Sequence, residues 1–491
     1  MKRLLSSLLV LTLGGCALME PGTQPVKQVD GAALGLSTST ADWPTDKWWQ
    51  RYQDSQLDAL IEEALANSPT MASAQARLAQ ANAAVGTARA PLLPRVDADY
   101  SLQREHISKN YIYPAPLAGS LQSDTHLGLD FSYELDFWGK NSAHLKSALS
   151  QQQAAEADRQ AARVMLSSGV VEAYLNLQDA FAQRDVLRNI LKQRENVQSI
   201  TTQRFSAGLD TQVEVKQADA ALAAGKVQLT QIETTLAQLR NQVAALVGAG
   251  PERGQRLTAT TMTTPAGILP TTVPLELLGH RADVTAARWR AEGANKEIDV
   301  AKAQFYPNVN LTAFIGLQAL GTGNLFDSGS YAGNIGPAIS LPLFHNGELN
   351  ANLAGRRADA DLAIADYNQT VLTAVRQTAD ALDALRLLER ETTEQRQART
   401  STDAAYELAV NRYKAGLGNY LTVLIAQDSV LVQARLDTDL RFRAYKLDAD
   451  LAKALGGGYV QTATPGAAPQ DSTATAAPTA APTADAQNNT H

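Results

Sequence analysis

Apolar and polar residues alternate one by one in four short stretches of the chain. The clearest stretch is 126–137, where leucine and aromatic side chains occupy one face and polar or small side chains occupy the other. Residues 96–105 alternate in the same way, and a weaker alternation follows at 309–317 and 335–343. A period of two sustained over about ten residues is typical of strands that cross a bilayer. We therefore predict four strands, at about 95–106, 125–137, 307–318 and 333–344.

A second pattern, with apolar residues three and four positions apart in turn, fills most of the remaining chain. It is unbroken from Val215 to Leu246, and it returns at 367–388 and 440–451. This spacing over several heptads is typical of coiled-coil α-helices. It predicts long helices at 140–203, 210–248, 347–412 and 418–456, with shorter helices at about 68–91 and 281–304.

The two halves of the chain are copies of one unit. Residues 204–209, Arg-Phe-Ser-Ala-Gly-Leu, match Arg-Tyr-Lys-Ala-Gly-Leu at 412–417, and the same offset of 208 positions aligns Gly128 with Gly336. Further upstream an offset of 213 positions aligns the two halves. Such self-similarity indicates a repeated architecture. The first copy is assigned to 51–250, the second copy to 279–458, and the Gly/Pro/Thr-rich segment 251–278 to an equatorial belt between them.

The two ends of the chain carry a targeting signal and a low-complexity tail. A basic start and a short apolar run lead to Leu-Gly-Gly and then Cys16, the single cysteine. A run this short is a secretory signal, not a membrane span, so we predict a signal peptide at 1–15 and a lead segment at 16–50. Leu-Gly-Gly-Cys resembles a bacterial lipobox, which implies lipidation of Cys16, and Ala17 after it favours the outer membrane. The alternative is an ordinary signal peptide with an incidental cysteine. The Ala/Pro/Thr tail, 459–491, is predicted to be disordered.

Helix lengths define the expected shape of the molecule. At 1.5 Å per residue, the helix at 140–203 is about 97 Å long and the return helix at 210–248 about 58 Å. The short helix at 281–304 adds about 36 Å, so we expect the two shorter helices to stack end to end beside the long one. Four strands are too few to close a barrel, and open sheet edges are not tolerated in lipid. Three chains would supply twelve strands. The fold class predicted is an α+β membrane protein, with a long α-helical coiled-coil barrel and a transmembrane β-barrel.

Composition and charge exclude several other classes of protein. Only 6% of the residues are aromatic, which suits long helices better than a compact globule. The formal net charge of −7 gives no reason to expect a nucleic-acid partner. One cysteine excludes an internal disulfide framework, and the sequence contains no phosphate-binding glycine loop, HExxH or serine-elbow motif. We therefore expect no enzyme activity, no cofactor and no metal site.

Acidic residues recur on the polar side of the predicted strands. Paired carboxylates can be catalytic, but placement at a period of two favours the wetted wall of a barrel lumen. His126 on the same face is interpreted as a lumen-lining residue rather than a ligand, and Trp48-Trp49 as a packing anchor near the belt. The residues assigned to the barrel lumen are Asp97, Asp99, Asp130, Glu134 and Asp136.

Several short motifs occur in the order found in one known family. They are Trp48-Trp49, Tyr133–Lys140, Phe305-Tyr306-Pro307, Leu341-Pro342-Leu343-Phe344 and Val423–Gln427. Over about 45–458 the chain resembles the outer-membrane factor family of tripartite efflux and secretion systems, the TolC- and OprM-like ducts. One departure is Ala282, where relatives commonly carry proline. Since that proline would only initiate a helix, the change puts little in doubt.

The resemblance implies a lipid-anchored homotrimer in the bacterial outer membrane that docks to a periplasmic adaptor and an inner-membrane transporter. It also implies an acidic periplasmic aperture. The second copy lacks an acid at 422–425, so the aperture is assigned to Asp210 and Glu214. The alternative is that Asp210 caps the return helix and Glu214 is solvated surface. The adaptor-docking tips implied are Ala207, Gly208, Leu209, Ala415, Gly416 and Leu417.

Together these features predict a passive exit duct for drugs or other small organic solutes. A channel for protein secretion would share the same architecture. An adaptor or structural coiled-coil lipoprotein would explain the heptads and the anchor, but not four alternating strands. A lipoprotein hydrolase would need a nucleophile or a metal constellation, which the sequence does not provide.

Overall fold

The computed structural model describes residues 19–22, 24–30, 34, 36, 43–263, 277–342 and 345–459. The predicted signal peptide, Cys16, part of the belt segment, Leu343-Phe344 and the tail beyond Tyr459 lie outside these residues. The described chain forms α1 (Ser55–Asn67), α2 (Pro69–Arg89), β1 (Arg95–His106), β2 (Leu121–Leu135), α3 (Lys140–Ser206), α4 (Gln212–Leu246), α5 (Pro251–Gln255), α6 (Leu277–His280), α7 (Ala282–Ala303), β3 (Asn308–Leu320), β4 (Tyr331–Ser340), α8 (Asn346–Lys414) and α9 (Tyr420–Ala454).

The four strands form one antiparallel sheet in the order β1-β2-β3-β4. Strand β1 spans the residues predicted for it, and β2 begins at Leu121, earlier than predicted. Strand β4 begins at Tyr331 and ends at Ser340, before the end expected from the alternation. Pro342 follows closely, and a proline cannot donate a hydrogen bond to a neighbouring strand. Each copy thus contributes one hairpin, and the two hairpins pair through β2 and β3.

The two longest helices begin close to the sheet and end far from it. Helices α3 and α8 contain 67 and 69 residues, which makes them about 100 Å and 104 Å long. The return helices α4 and α9 each begin at a side-chain N-cap, Thr211 and Asn419, which accepts a backbone hydrogen bond from the first turn. Within the described ranges, no helix is both long enough and apolar enough to cross a membrane.

The short helices stack end to end with the return helices, but not in the pair that we expected. The expected partner of α4 was the helix at 281–304, which is α7. Instead α4 ends at the start of α2, where a side chain on Gly248 would touch the carbonyl of Asn67. Helix α9 ends at the start of α7, where Arg281 donates to the carbonyl of Ala454 at 3.0 Å. The prediction was wrong because α2 and α7 have similar lengths, 21 and 22 residues, and length alone does not distinguish them.

The largest hydrophobic core lies near the middle of α3. Trp48 and Trp49, which are 3% and 2% exposed, pack there beside Tyr174, as expected of an anchor near the belt. Asp54 caps α1 and also accepts hydrogen bonds from the hydroxyls of Tyr174 and Thr260 at 2.6 Å and 2.5 Å. These contacts tie the described start of the belt segment to α3.

The described part of the lead segment runs along α8. The backbone N–H of Glu20 donates to the side chain of Asn350 at 3.1 Å. The N–H of Val29 donates to the side chain of Asn368 at 2.9 Å. From Glu20 to Val29 the lead therefore descends from the sheet end of α8 in the same direction as that helix.

Candidate functional site

The register of the sheet collects the polar positions of the strands on one face. Residues that lie opposite each other in adjacent antiparallel strands share a face. Asp97 lies opposite Asp130 on the polar face, and Leu129 lies opposite Ile315 on the other face. The same alternation continues into β4, where Ile339 lies opposite Val309. The sheet is amphipathic across its whole width, as expected of a wall with water on one side and hydrocarbon on the other.

Four of the five acids assigned to a lumen lie on this polar face: Asp97, Asp99, Asp130 and Glu134. Two of them form ion pairs. Asp97 contacts Arg95 at 2.6 Å, and Glu134 contacts Lys140 at 2.5 Å. Their charge is therefore partly compensated within the chain.

Asp136, the fifth of these acids, lies beyond the last residue of β2. Its carboxylate accepts backbone hydrogen bonds from Asn141 and Ser142 at 3.0 Å and 2.8 Å, so it stabilises the first turn of α3. The assignment of Asp136 to the strand face was wrong. The alternating pattern continues through a turn in which the side chain has a capping role, and alternation alone does not reveal the end of a strand.

Two exposed turns join the long helices to the return helices. Gly208 and Gly416 have φ angles of 72° and 76°, which favour glycine over any residue with a Cβ. A Cβ on either glycine would meet no atom of the described residues within 4 Å. The following residues, Leu209 and Leu417, are 64% and 70% exposed. The six residues assigned to docking tips therefore belong to two open turns of similar shape.

A buried side-chain cluster joins the two turns. Arg204 donates to the Asp210 carboxylate from Nε and Nη2, at 3.0 Å and 3.2 Å. Tyr413 of the second copy donates its hydroxyl to the same carboxylate, and the Arg204 guanidinium lies 4.7 Å from the centroid of its ring. Burial, together with the hydrogen bond to Asp210, raises the pKa of Tyr413 to about 12. We call Arg204, Asp210 and Tyr413 the tip lock, because it fastens the first-copy turn to the end of α8.

Asp210 is neither a free carboxylate nor a helix cap. Its side chain is 8% exposed and paired with Arg204, and the N-cap of α4 is Thr211. Glu214 accepts hydrogen bonds from the Thr211 N–H and hydroxyl at 2.9 Å and 2.5 Å, which completes a capping box. These hydrogen bonds, chiefly the one from the Thr211 hydroxyl, lower the pKa of Glu214. Of the two residues assigned to an acidic aperture, only Glu214 keeps a charge that no described cation compensates.

Sequence reasoning missed Arg204 and Tyr413. The duplication contained a signal for Tyr413, because it aligns with Phe205 and the two differ by one hydroxyl group. Phe205 is 39% exposed, whereas Tyr413 is 1% exposed. A residue that gains a hydroxyl and loses its exposure between two copies is a candidate for a specific buried contact.

A second contact joins the copies higher in the helical region. Arg194 of α3, whose side chain is 6% exposed, donates to Asp428 of α9 at 3.0 Å and to the carbonyl of Ala221 in α4 at 2.8 Å. It lies ten residues before Arg204, about 15 Å along the helix. The two copies are therefore linked at two levels near the tips.

An amphipathic sheet carried on helices about 100 Å long defines a class of protein, an outer-membrane channel with a periplasmic helical extension. Comparison with known proteins gives the family. Residues 60–249 and 273–457 match the family described as outer membrane efflux protein. The chain belongs to this family and functions as an outer-membrane efflux channel.

Individual relatives agree with this assignment. The chain is 36% identical to the fusaric acid resistance protein FusA of Burkholderia cepacia, over 71% of this chain and 68% of that protein. It is 30% identical to the multidrug resistance outer membrane protein MdtP of Escherichia coli K12, over 91% of this chain and 94% of the relative. Among solved structures, the outer membrane protein VceC of Vibrio cholerae is 40% identical with a TM-score of 0.81, covering 85% of this chain and all of VceC. The CmeC channel of Campylobacter jejuni has a TM-score of 0.82 at 25% identity, covering 91% of this chain and 96% of CmeC.

Proposed function

We propose that three copies of this chain form one passive duct, which receives small organic solutes from an inner-membrane transporter through a periplasmic adaptor. The observation that supports the trimer best is the four-stranded amphipathic sheet. Strands β1 and β4 each pair on one side only within the described chain, and unpaired edges are not tolerated in lipid. Three sheets would close a barrel of twelve strands, a number within the range found in outer-membrane barrels.

The two faces of the sheet indicate which side of the barrel wall would face water and which would face lipid. The face with Asp97, Asp99, Asp130 and Glu134 would line a watery lumen, and the face with Leu129 and its neighbours would contact lipid. The long helices would continue the lumen into the periplasm. No chemical step is needed for this function, since the duct only conducts what a pump delivers. The names of the relatives, fusaric acid resistance and multidrug resistance, support organic solutes as the cargo.

Cys16 is proposed to anchor the mature N-terminus in the outer membrane. Glu20 is held beside Asn350, near the sheet end of α8. Glu20 follows Cys16 by four positions in the sequence, so the place of Glu20 supports an anchor at the membrane-facing end of the helices. Replacing Cys16 with Ser should leave the precursor uncleaved and unlabelled by radioactive palmitate. Palmitate incorporation equal to that of the unmodified protein would contradict the anchor.

The two exposed turns are proposed to dock to the adaptor, and the tip lock is proposed to hold the lower end of the duct closed at rest. The turns are suited to docking because their glycines face open space and their leucines are exposed. The tip lock is suited to gating because it joins the first-copy turn to the second copy through hydrogen bonds to one carboxylate. Opening would separate Tyr413 from Asp210 while Arg204 keeps the acid paired.

The proposed function is tested by reconstitution in a strain that lacks its own outer-membrane efflux channel. Expression of this chain with its matched adaptor and pump should raise the tolerated concentration of organic antibiotics. The purified protein should migrate as a trimer in detergent and dissociate on heating. A monomeric protein, or tolerance that does not depend on the adaptor, would overturn the proposal.

A further inference from the structure

The polar face of the sheet contains one cluster that neither the fold nor the export of solutes explains. It consists of Asp99 on β1 and His126 and Asp130 on β2. His126 Nε2 lies 3.2 Å from Asp99 Oδ2, and one donor atom from each of the three residues lies within 4.8 Å of the other two. We infer that Asp99, His126 and Asp130 bind a divalent first-row transition-metal ion on the polar face of the sheet.

The position of the histidine ring is fixed by neighbouring residues. Gly128 lies between His126 and Asp130 on the same face and opposite Gly316 of β3. A Cβ on either glycine would overlap the ring of Phe314, which occupies the space that the two glycines leave. The Phe314 ring stacks on His126 with centroids 4.7 Å apart and planes inclined by 22°. The imidazole is therefore held in one orientation, with Nε2 directed at Asp99.

A bound cation would stabilise Asp99 and Asp130 by compensating their negative charges. Two carboxylates this close repel each other when both are ionised. Asp99 Oδ1 is shielded from solvent and accepts no hydrogen bond from the described residues. Two further acids of this face, Asp97 and Glu134, have Arg95 and Lys140 as partners. An ion between Asp99, His126 and Asp130 would compensate both carboxylates at once.

The second copy shows that the fold does not require these side chains. The equivalent positions on β3 and β4 hold Thr312, Asn334 and Ala338, and Thr312 lies opposite Gly336 as Asp99 lies opposite Gly128. The same backbone arrangement is thus built twice, once with three potential ligands and once with none that is charged. The trio is a property of the first copy alone.

The donor set indicates the class of ion. One imidazole with two carboxylates suits zinc, copper, nickel or cobalt better than magnesium or calcium, which prefer oxygen alone. In a tetrahedral zinc site, with bonds of about 2.1 Å, ligand atoms lie about 3.4 Å apart. Small side-chain rotations would bring the three donors to that separation. Three protein ligands leave one position for water or for a passing solute.

The inference is tested by metal titration of the purified protein in detergent. After removal of metal with a chelator, Zn²⁺ should bind at one ion per chain in calorimetry. The Cu²⁺-loaded protein should show nitrogen coupling from one imidazole in its electron paramagnetic resonance spectrum. His126→Asn, the residue of the second copy, should abolish this coupling and weaken Zn²⁺ binding at least about tenfold. Asp130→Ala, which also copies the second half, should weaken binding in the same way and serves if His126→Asn does not fold.

Two control variants separate this site from incidental binding. His144→Ala removes a histidine that contacts a single carboxylate, that of Glu297, at 3.1 Å. Asp97→Asn removes the acid opposite Asp130, which is already paired with Arg95. Both variants should bind Zn²⁺ as the unmodified protein does. The inference is overturned if no saturable binding is found, if His126→Asn binds Zn²⁺ normally, or if His144→Ala loses as much binding as His126→Asn.

Discussion

The first-copy and second-copy tips follow the same backbone path with different side chains. In both, a glycine at φ 72° or 76° ends the long helix and an exposed leucine follows. The first tip then continues with Asp210, where the second has Gly418. Conversely, Tyr413 of the second copy replaces Phe205 of the first. Duplication thus produced two turns with the same backbone. Divergence of their side chains then gave the first turn the carboxylate that accepts a hydrogen bond, Asp210, and the second copy the hydroxyl that donates it, Tyr413.

The two hairpins of the sheet also combine the same backbone arrangement with different side chains. They share their register, yet only the first holds Asp99, His126 and Asp130. In both regions, the backbone conformation that the copies share builds the structure, and the side chains that differ between the copies are available for function. The predictions that follow test this division at the tips.

The largest effect, a loss of antibiotic tolerance, is expected when a large side chain replaces the glycine of a turn that both copies share. Gly416→Trp should reduce antibiotic tolerance to that of a strain without the protein, because a large side chain would block the close approach of an adaptor. Gly416→Ala is the matched control, since it introduces the same strain at positive φ with little added volume. Trimers should persist in both variants on detergent gels. Equal tolerance with alanine and tryptophan would show that the turn is not a docking surface.

A smaller effect is expected from the residue that distinguishes the copies. Tyr413→Phe removes a hydrogen bond to a carboxylate, which contributes about 1.5–3 kcal/mol. The ratio of open to closed channels in planar bilayers should therefore rise by about tenfold or more. Phe205→Tyr is the control, because its hydroxyl would reach solvent at an exposed position. If both variants gate like the unmodified protein, the tip lock does not hold the channel closed.

A modest effect is expected on ion selectivity. Glu214→Ala should lower the preference for cations by about twofold, and high salt should suppress the difference because it screens exposed charges. Thr422→Glu, which places an acid at the equivalent position of the second copy, should raise the preference. Reversal potentials under a salt gradient measure both. An unchanged reversal potential in both variants would remove Glu214 from the aperture.

The smallest effect is expected from alkaline pH. Burial and the Asp210 hydrogen bond raise the pKa of Tyr413 from 10.0 to about 12, so the folded state holds the proton more tightly than the unfolded state. Its contribution to stability is fully present below pH 10 and is lost as the pH rises to about 12. Between these values, the unfolding midpoint should fall by about one or two degrees more in the unmodified protein than in Tyr413→Phe. Parallel curves for the two proteins would contradict this.

Periodicity was enough to predict the strands and helices, because the period of two and the heptad spacing each extend over many residues. It was not enough for their ends and partners. Asp136 continues the alternation but caps α3, and α4 meets α2 rather than α7. Asp210 was identified as an acid near the tip, but its partner Tyr413 lies 203 residues further along the chain. Contacts between the copies depend on which helices are neighbours in space, and the periodicity within one copy does not predict those neighbours.

The end-to-end junctions divide mechanical load between the helices. At each junction two helices abut without a peptide bond, Gly248 against Asn67 and Gly456 against His280. Such a contact transmits compression, but it resists tension and rotation about the shared axis less than a continuous backbone does. Helices α3 and α8 are continuous past this level. A push from below is therefore shared by four helical columns in each chain, whereas a pull or a twist at the tips reaches the sheet mainly through the two continuous ones.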